Sequence, residues 1–546
     1  MPNNKPFDFA EPLEGEAPKA FNFGEGVTNT FPEKAHLASD RAQLMYPLDK
    51  QTQELLKAFL QDHSSELIRI GAGGSSTATF TIAPEGIAAD YNTDGIADQT
   101  EINQAIDDLP AAGGRIILRE GTYTLSGKII IDKSNVILEG QGMGSKIILA
   151  NTTNTDIIEI GDGVSTYTFI SVKNLYIEGN KANQTSNGMG IQILANTKKV
   201  IVENCRIENT ESDGIEIAGN DCRIINNMIE TPGARGIEIN SPAARNVIQG
   251  NLINSPANYG IMNNSGSTYC EIIGNTVITP SGQAAAISSD ASYTRIFSNS
   301  IEITIDDTDG IILGNSSEVT VGGNVIIFNV GTPATQSFGI IPAVANATIV
   351  GNVISGADAL QTLTAIGGAT FSLTTIAGNV IENAQNGIGS AGFAFSRCII
   401  TGNHIRGRGT LGLEGIIAGT TGSAASNNNI ITNNTIRNFG KEAIRLRQAN
   451  YNMISNNAIS SVGRLTNDTY PAISLEQRQA GQESTYNTIV GNTVTSEETN
   501  KHKYGFREIE AGDGPNIVAN NIFLNAVTAA ISTQHIGTDV SHNITA

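Results

Sequence analysis

The chain has 546 residues, with 33 lysines and arginines against 53 aspartates and glutamates, which gives a formal net charge of −20. This charge argues against nucleic acid and against an anionic membrane surface as partners. Hydrophobic residues make up 39% of the chain, enough for a folded core, and no apolar run reaches the roughly 18 residues that span a bilayer. The first residues, MPNNKPFDFAEPLEGEAP, have no basic start and no apolar stretch, so we expect no Sec signal peptide.

The first 75 residues differ in composition from the rest of the chain. Residues 1–47 are rich in Pro, Gly, Glu and Asn, which predicts an extended, attachment-like segment. Residues 48–75 predict a short helix followed by a flexible join, AGGSST. Five of its residues follow a 4-3-4-3 spacing: Leu56, Leu60, His63, Leu67 and Ile70. This spacing fits two heptads of a coiled coil, or one amphipathic helix packed on the end of the next domain.

Residues 76–150 predict a turn, a helix and the first strands of a larger domain. Asp98 stands at the N-cap position of the helix, and Glu101 follows three residues later, as in a capping box. This stretch resembles the pectate-lyase-like superfamily, in which an Asp-rich loop and a capping helix precede a GG-strand-PxGTY segment. Arg119–Glu120 replaces the usual proline before the GTY of residues 121–123. The resemblance implies a right-handed parallel β-helix.

Residues 151–546 repeat a short phrase, seen for example as IINNMIE, VIQGNLI and IIGNTVI. Its asparagine recurs with a mean period of about 26 residues: Asn227, Asn251, Asn275, Asn299, Asn324, Asn352, Asn379, Asn403, Asn434, Asn457, Asn492, Asn521 and Asn543. Alternating apolar residues within each phrase predict a short strand, and a second strand follows in segments such as GIEIAG and GIILGN. A period of this length without a helical pattern predicts an all-β solenoid of roughly fifteen coils, with the asparagines hydrogen-bonded from coil to coil.

The four cysteines do not form a disulfide framework. Cys205 takes the asparagine position in the coil before Asn227. Cys222, Cys270 and Cys398 share another phase of the repeat, never in neighbouring coils. We therefore interpret them as small buried apolar residues.

The order of the segments resembles bacteriophage tailspikes and appendage proteins: an extended tip, a short helical seam, a capping helix and a β-helix. The resemblance implies a homotrimer whose N-terminal part docks on the virion. It also implies a β-helix that binds, and often cleaves, a cell-surface glycan. The expected location is the virion tail, after synthesis in the host cytoplasm, with a secreted protein as the alternative.

One loop fits a calcium-binding pattern. The motif D-x-N-x-D-G-x5-E is matched at Asp90, Asn92, Asp94, Asp98 and Glu101, which offer the oxygen ligands that calcium prefers. No entering helix precedes it, and related β-helix proteins carry a similar loop as a simple cap. A structural calcium ion and capping alone both stay open, and no cofactor is required for the proposed chemistry.

Cleavage of a glycan needs paired carboxyl groups, and outward residues of successive coils stack about 4.8 Å apart. Three places offer such groups. In the first, Glu216 is predicted to lie above Glu238, with Asp213 and Arg235 at the preceding corner. The second holds three aspartates in one turn: Asp306, Asp307 and Asp309. The third is predicted to align two rows of outward side chains, Arg447–Glu476–Glu510 and Arg445–Ser474–Glu508.

The third place is the preferred active surface. The intervals between repeat asparagines lengthen there, so loops emerge beside it. Residues 395–465 also carry seven arginines and one lysine against two glutamates, a local charge of +6 that suits an anionic glycan. We expect Glu476 and Glu510 to act as acid and base or nucleophile, assisted by Glu508. The substrate would be bound by Arg445 and Arg447.

The sequence predicts a polysaccharide depolymerase, with a glycoside hydrolase favoured over a lyase. Motifs of polygalacturonases and of alginate epimerases are absent from the sequence. Two alternatives stay open: a non-enzymatic receptor-binding fibre, and a bacterial polysaccharide lyase or hydrolase unrelated to a virion.

Overall fold

The computed structural model describes residues 78–545 except 187, 279–284, 315, 331–335, 358–361, 420–424, 478–480 and 497–500. The chain divides into two units, Met1–Ser76 and Thr77–Ala546. The extended segment, the short helix and its heptad spacing lie outside the described residues.

Three parallel sheets form the second unit, and each full turn of the chain contributes one strand to each sheet. Every strand pairs in parallel with the equivalent strand of the next turn, as Ile215–Ile217 pairs with Ile237–Ile239. This topology is a parallel β-helix of about 16 turns, and the predicted solenoid is confirmed.

Sheet A has 19 strands: Ala78–Pro84, Tyr91–Thr93, Gly114–Leu118, Val136–Gly140, Ser171–Lys173, Ile201–Glu203, Arg223–Ile225, Val247–Gln249, Glu271–Ile273, Arg295–Phe297, Thr320–Gly322, Thr348–Val350, Thr375–Ala377, Ile399–Thr401, Ile430–Thr432, Met453–Ser455, Thr488–Val490, Ile517–Ala519 and Asp539–Ser541. Sheet B has 17 strands: Gly121–Leu125, Ser145–Leu149, Tyr176–Glu178, Arg206–Glu208, Met228–Glu230, Leu252–Asn254, Thr276–Ile278, Ser300–Ile303, Val325–Phe328, Val353–Gly356, Val380–Ala384, His404–Gly407, Thr435–Arg437, Ala458–Ser460, Thr493–Thr495, Ile522–Phe523 and Ile544–Thr545.

Sheet C has 16 strands: Ile129–Ile131, Ile158–Ile160, Ile191–Ile193, Ile215–Ile217, Ile237–Ile239, Ile261–Asn263, Ala285–Ser289, Asp309–Leu313, Phe338–Pro342, Thr364–Ile366, Asn386–Ile388, Ile416–Ala418, Ile444–Arg447, Ile473–Glu476, Tyr504–Glu508 and Ala529–Ser532. Phe371–Ser372 and Phe395–Ser396 pair separately. Within the described ranges the helical segments are α1 (Gln99–Asp107) and two 3₁₀ turns, Lys181–Asn183 and Gly409–Leu411. No helix among the described residues is long and apolar enough to cross a membrane.

The asparagine ladder is confirmed, from Asn227 to Asn543. Each side-chain amide donates to the Oδ1 of the next rung at 2.9–3.0 Å, and Cys205 occupies the preceding rung with its backbone N–H on Asn227 Oδ1. The prediction that each phrase is one strand is wrong, because the residue before the asparagine is left-handed, as in Asn226 (φ 54°) and Gly274 (φ 64°). The bend there splits the phrase into a strand of sheet A and a strand of sheet B.

A second ladder precedes the strands of sheet A in the last turns. Asn429, Asn452, Asn487 and Asn516 are joined by side-chain hydrogen bonds of 2.8–3.0 Å. Each lies five residues before a rung of the first ladder, and this second row was not predicted. All four cysteines are buried and free, as predicted.

Helix α1 covers the first turn, with Ile102, Ala105 and Ile106 buried. Asp98 holds the predicted N-cap position, but the predicted capping box does not form. The Asp98 carboxylate instead accepts hydrogen bonds from the backbone N–H groups of Gly95 (2.7 Å) and Thr124 (2.6 Å). The cap residue therefore joins the loop to the first strand of sheet B.

Candidate functional site

The outward positions of sheet C carry a row of polar side chains in the first half of the solenoid. Glu159, Gln192, Glu216 and Glu238 stand in register on four consecutive strands. Each lies between two buried isoleucines of its own strand, which fixes its direction because side chains alternate across a strand. The predicted stacking of Glu216 over Glu238 is confirmed.

Asp213 completes a group that we call the carboxylate cluster: Asp213, Glu216 and Glu238. Single carboxylate oxygens of the three residues lie within 4.8 Å of one another. Asp213 lies at the corner two residues before its strand and is 1% exposed, and its Oδ1 accepts the backbone N–H of Arg235 at 2.8 Å. The turn and the strand together hold three acids at one point.

A guanidinium lies among these acids. Arg235 Nη1 is 3.3 Å from Asp213 Oδ2 and 3.1 Å from Glu238 Oε2, and Asn264 Nδ2 donates to Glu238 Oε1 at 2.7 Å. Among the described residues, the oxygens of these three acids are the ones close enough to one another to ligate a metal ion together. Arg235 takes the position of the positive charge there, so the geometry favours an acid pair with a built-in cation over a metal centre.

Burial raises the proton affinity of Asp213 and of Glu216. It raises the pKa of Asp213 to about 7, against the opposing hydrogen bond and charge of Arg235. Burial also raises the pKa of Glu216, against a hydrogen bond from Gln192, and the charge of Glu238 adds to the increase. The cluster thus places Glu216, a carboxyl group with a raised pKa, beside Glu238, whose charge is compensated by Arg235. General acid catalysis requires this combination of a protonated and a charged carboxyl group.

The loop predicted to bind calcium uses its side chains for local hydrogen bonds. Asp90 Oδ2 accepts the backbone N–H (2.7 Å) and the hydroxyl (2.8 Å) of Thr81, and Asn92 Nδ2 donates to the Ile87 carbonyl at 2.7 Å. Asp94 accepts the N–H of Ile96 at 3.1 Å. In the described part of the chain, this loop forms no cluster of three acids comparable to that at Asp213. Calcium binding by this loop stays a prediction. Capping of the solenoid is enough to account for the hydrogen bonds described here.

The turn at Asp306, Asp307 and Asp309 does not bring its acids together as a cluster of that kind within the described ranges. Asp309 begins a strand of sheet C, and its Oδ1 accepts the backbone N–H of Phe338 at 2.8 Å. Burial raises the pKa of Asp309 to about 6, with a contribution from the charge of Asp307.

At the preferred third place, the first predicted pairing between neighbouring strands is confirmed and the second is wrong. Arg445 stands opposite Ser474, and Arg447 opposite Glu476, with Arg447 Nε 2.5 Å from Glu476 Oε2. In the following turn, however, Ser474 stands opposite Arg507. The predicted alignment is therefore displaced by one residue.

This displacement separates the three predicted catalytic glutamates. Glu508 stands opposite the buried Leu475 and is itself fully buried, where it accepts hydrogen bonds from Asn516 Nδ2 (3.0 Å) and Thr538 Oγ1 (2.6 Å). Glu510 lies beyond the end of the strand and is exposed. A one-residue slip in a strand exchanges its two faces, so Glu476, Glu508 and Glu510 do not form one row.

Two acids at this place were counted in the sequence only as charges. Glu414 and Glu442 are both buried, and Arg445 Nη1 lies 2.9 Å from Glu414 Oε1. Burial raises the pKa of Glu442 to about 7, although the charge of Arg445 opposes the increase. Both stand two residues before a strand of sheet C, as Asp213 does. An acid at this fixed offset was the signal in the sequence that could have identified them.

Comparison with known proteins identifies the hand of the solenoid. A family model described as a right-handed β-helix region matches residues 116–277, and one described as the periplasmic copper-binding protein NosD matches residues 374–546. The chain is therefore a right-handed β-helix. No curated protein matches the sequence.

The chain is also similar to several solved structures. The tailspike protein of E. coli bacteriophage HK620, solved as a double mutant, is 13% identical with a TM-score of 0.52, covering 81% of this chain and 76% of that one. A DFA-IIIase mutant from Arthrobacter chlorophenolicus A6 is 14% identical (TM-score 0.47, 59% of this chain, 94% of that one). PfbA, a surface adhesin of Streptococcus pneumoniae, is 16% identical (TM-score 0.46, 57% and 87%). At 13% identity the likeness to the HK620 tailspike concerns the fold alone.

The residues that match the NosD model do not fit a copper centre. Copper prefers histidine, cysteine and methionine ligands. Within the described ranges, neither Cys398 nor any histidine of that stretch belongs to a group of three close ligand-bearing side chains. We derive no copper chemistry for this chain.

Proposed function

We propose that the chain is a bacteriophage tailspike that binds a cell-surface polysaccharide and hydrolyses it. The observation that carries the hydrolytic part is the carboxylate cluster, in which Glu216 has a raised pKa and Glu238 contacts Arg235. Carboxyl pairs of this kind cleave glycosidic bonds without a cofactor. The right-handed β-helix, a fold shared with the HK620 tailspike, supplies a long rigid face for a chain-like substrate.

The proposed mechanism uses the two glutamates in two steps. The Glu216 carboxylic acid donates its proton to the glycosidic oxygen, while a Glu238 carboxylate oxygen attacks the anomeric carbon and the glycosidic bond breaks. Glu216, now deprotonated, then removes a proton from water, which attacks the same carbon and releases Glu238. Arg235 and Asp213 hold Glu238 and its charge in place.

The spacing of the acids indicates the stereochemical outcome. Carboxylate oxygens of the cluster lie within 4.8 Å of one another. Retaining glycosidases separate their carboxyl groups by about 5 Å, whereas inverting enzymes need roughly 6.5–9.5 Å to admit a water molecule. We therefore propose that the anomeric configuration is retained.

The test compares Glu216→Gln, Glu238→Gln and wild type for release of reducing sugar from a cell-wall polysaccharide extract. Each variant is expected to lose at least ~100-fold in turnover, because proton transfer typically contributes 10²–10⁴-fold. The matched control is Glu271→Gln, a partly exposed residue of sheet A. NMR of the newly released reducing ends should show the same anomeric configuration as the glycosidic bond that was cleaved.

Three results would contradict the hydrolytic proposal. Full activity in both cluster variants would place the chemistry elsewhere. Products with an unsaturated sugar end would indicate a lyase. Saturable binding of the polysaccharide without release of sugar by the wild type would indicate a receptor-binding fibre.

The virion part of the proposal rests on the order of segments in the sequence. Residues 1–47 would dock on the tail or baseplate, and residues 48–75 would join three chains. The expected location is then the virion tail, outside the cell. Immunodetection of the chain on purified particles tests this part independently of the hydrolysis assay.

A further inference from the structure

Three arginines converge on the outer face of sheet B, far along the chain from the carboxylate cluster. Arg406, Arg437 and Ser460 stand opposite one another on three consecutive strands. Arg464 reaches the same place from the loop that follows Ser460, and its Nη1 contacts Asn438 Oδ1. Together these groups line what we call the arginine groove: Arg406, Arg437, Asn438, Ser460, Ser461 and Arg464.

The groove has the size and the chemistry of a binding site for a small polar ligand. Its volume is about 620 Å³, within the range of about 300–1,000 Å³ typical of ligand sites. Its lining combines guanidinium donors with two serine hydroxyls and an amide, and it includes no carboxylate. Guanidinium groups present paired N–H donors that match the oxygens of a carboxylate or phosphate.

The charges of Arg406 and Arg437 are only partly compensated. Arg406 Nη1 lies 3.3 Å from Glu382 Oε2, whereas Arg437 Nη2 lies 3.1 Å from His404 Nε2. Across the described residues, no carboxylate comes within 4.0 Å of the Arg437 guanidinium. Like charges directly opposite each other on neighbouring strands are destabilising. With Glu382 beside Arg406 and no carboxylate beside Arg437, the stacked pair keeps a positive charge that a bound anion would offset.

We propose that the arginine groove binds an anionic group of a glycan, a sugar phosphate or a uronic acid. The oxyanion lies between Arg406 and Arg437, Arg464 covers it from the loop, and the serine hydroxyls bind the sugar beside it. Binding here does not depend on hydrolysis at the carboxylate cluster, so either proposal can fail alone.

Calorimetric titration of the full chain tests the groove with three probes: glucose 6-phosphate, glucuronate and glucose. The two anions are expected to bind in competition with each other, more weakly as salt is added, and glucose is expected not to bind. The tighter of the two anions identifies the acidic group. Absence of saturable binding by both anions at low ionic strength overturns the proposal.

Arg437 supplies the decisive variants because it is exposed and its loss should leave the fold intact. Arg437→Gln should weaken anion binding at least ~10-fold, and Arg437→Lys should restore part of it, since the charge returns without the planar fork. The control is Arg295→Gln on sheet A, whose partner is Glu271. Unchanged binding in Arg437→Gln, with the melting temperature of the wild type, also overturns the proposal.

Discussion

The buried acids show how much a single residue depends on its exact register. In the segment FREIE, the sequence suggested that Ile509 faces inward, because this placement continues the alternation of its neighbours. The structure instead turns Glu508 inward, where Asn516, Thr538 and two backbone N–H groups satisfy it. Donors contributed by a later turn decide this register, and an alternation pattern within one strand contains no information about them.

The buried Glu442 gives a pH prediction. Its folded-state pKa is raised from 4.5 to about 7, mainly by burial. Between pH 4.5 and 7 the folded chain keeps a proton that the unfolded chain has lost, so this residue's contribution to stability falls as pH rises through that window. Above pH 7 the loss is on the order of 3 kcal/mol.

Melting curves of the wild type and Glu442→Gln at pH 4.5 and pH 8 test this linkage. The glutamine variant cannot titrate, so its melting temperature relative to the wild type should rise between the two pH values. A difference that stays constant, or that moves in favour of the wild type at pH 8, would show that Glu442 does not carry a raised pKa.

At the scale of the strand and turn, the sequence predicted the asparagine ladder more accurately than it predicted where each strand begins and ends. The asparagines are visible because each rung needs the same amide at the same place in each turn. The division of each phrase into two strands is less visible, since it depends on a left-handed residue that is Gly, Asn, Ser or His in different turns. The same limit applied at Asp98, whose position was predicted but one of whose hydrogen-bond partners, Thr124, lies in a distant strand.

The ladder predicts a large effect for one internal rung. Asn352 donates to the Val321 carbonyl at 3.1 Å and to Asn379 Oδ1 at 2.9 Å, and it accepts the backbone N–H of Asn324 at 3.0 Å. Asn352→Ala should leave buried groups unpaired in both neighbouring turns. Each unpaired group costs about 1–3 kcal/mol.

Hydrogen exchange read turn by turn is the suitable measurement, since long repeat arrays need not unfold in one step. Amides near Asn324 and Asn379 should lose protection in Asn352→Ala. The last rung, Asn543, is partly exposed and provides the control, so Asn543→Ala should affect only the C-terminal turn. Unchanged protection around Asn352 would mean that the ladder does not stabilise the solenoid.

On the scale of the whole molecule, sheet A carries a row of exposed apolar side chains in its last turns. Ile399, Ile430 and Met453 stand in register on sheet A, and Ile517 continues the row beyond Thr488. The four side chains are 39–47% exposed. An aligned apolar row in a strongly acidic chain fits burial against other copies of the same chain, as in the proposed trimer.

Sedimentation velocity gives the final test, because three parallel copies would bring the same row of each chain toward a common axis. The wild type should sediment as a species of three times the 57.4 kDa chain mass. Placing charges in the row, with Ile430→Asp and Met453→Asp together, should release single chains, since unpaired carboxylates would become buried at the interface. Val164→Asp, at a position 82% exposed outside the row, should leave the assembly unchanged. A wild type that sediments at 57.4 kDa at micromolar concentration would refute the trimer, and a double variant that stays trimeric would place the contact on another face.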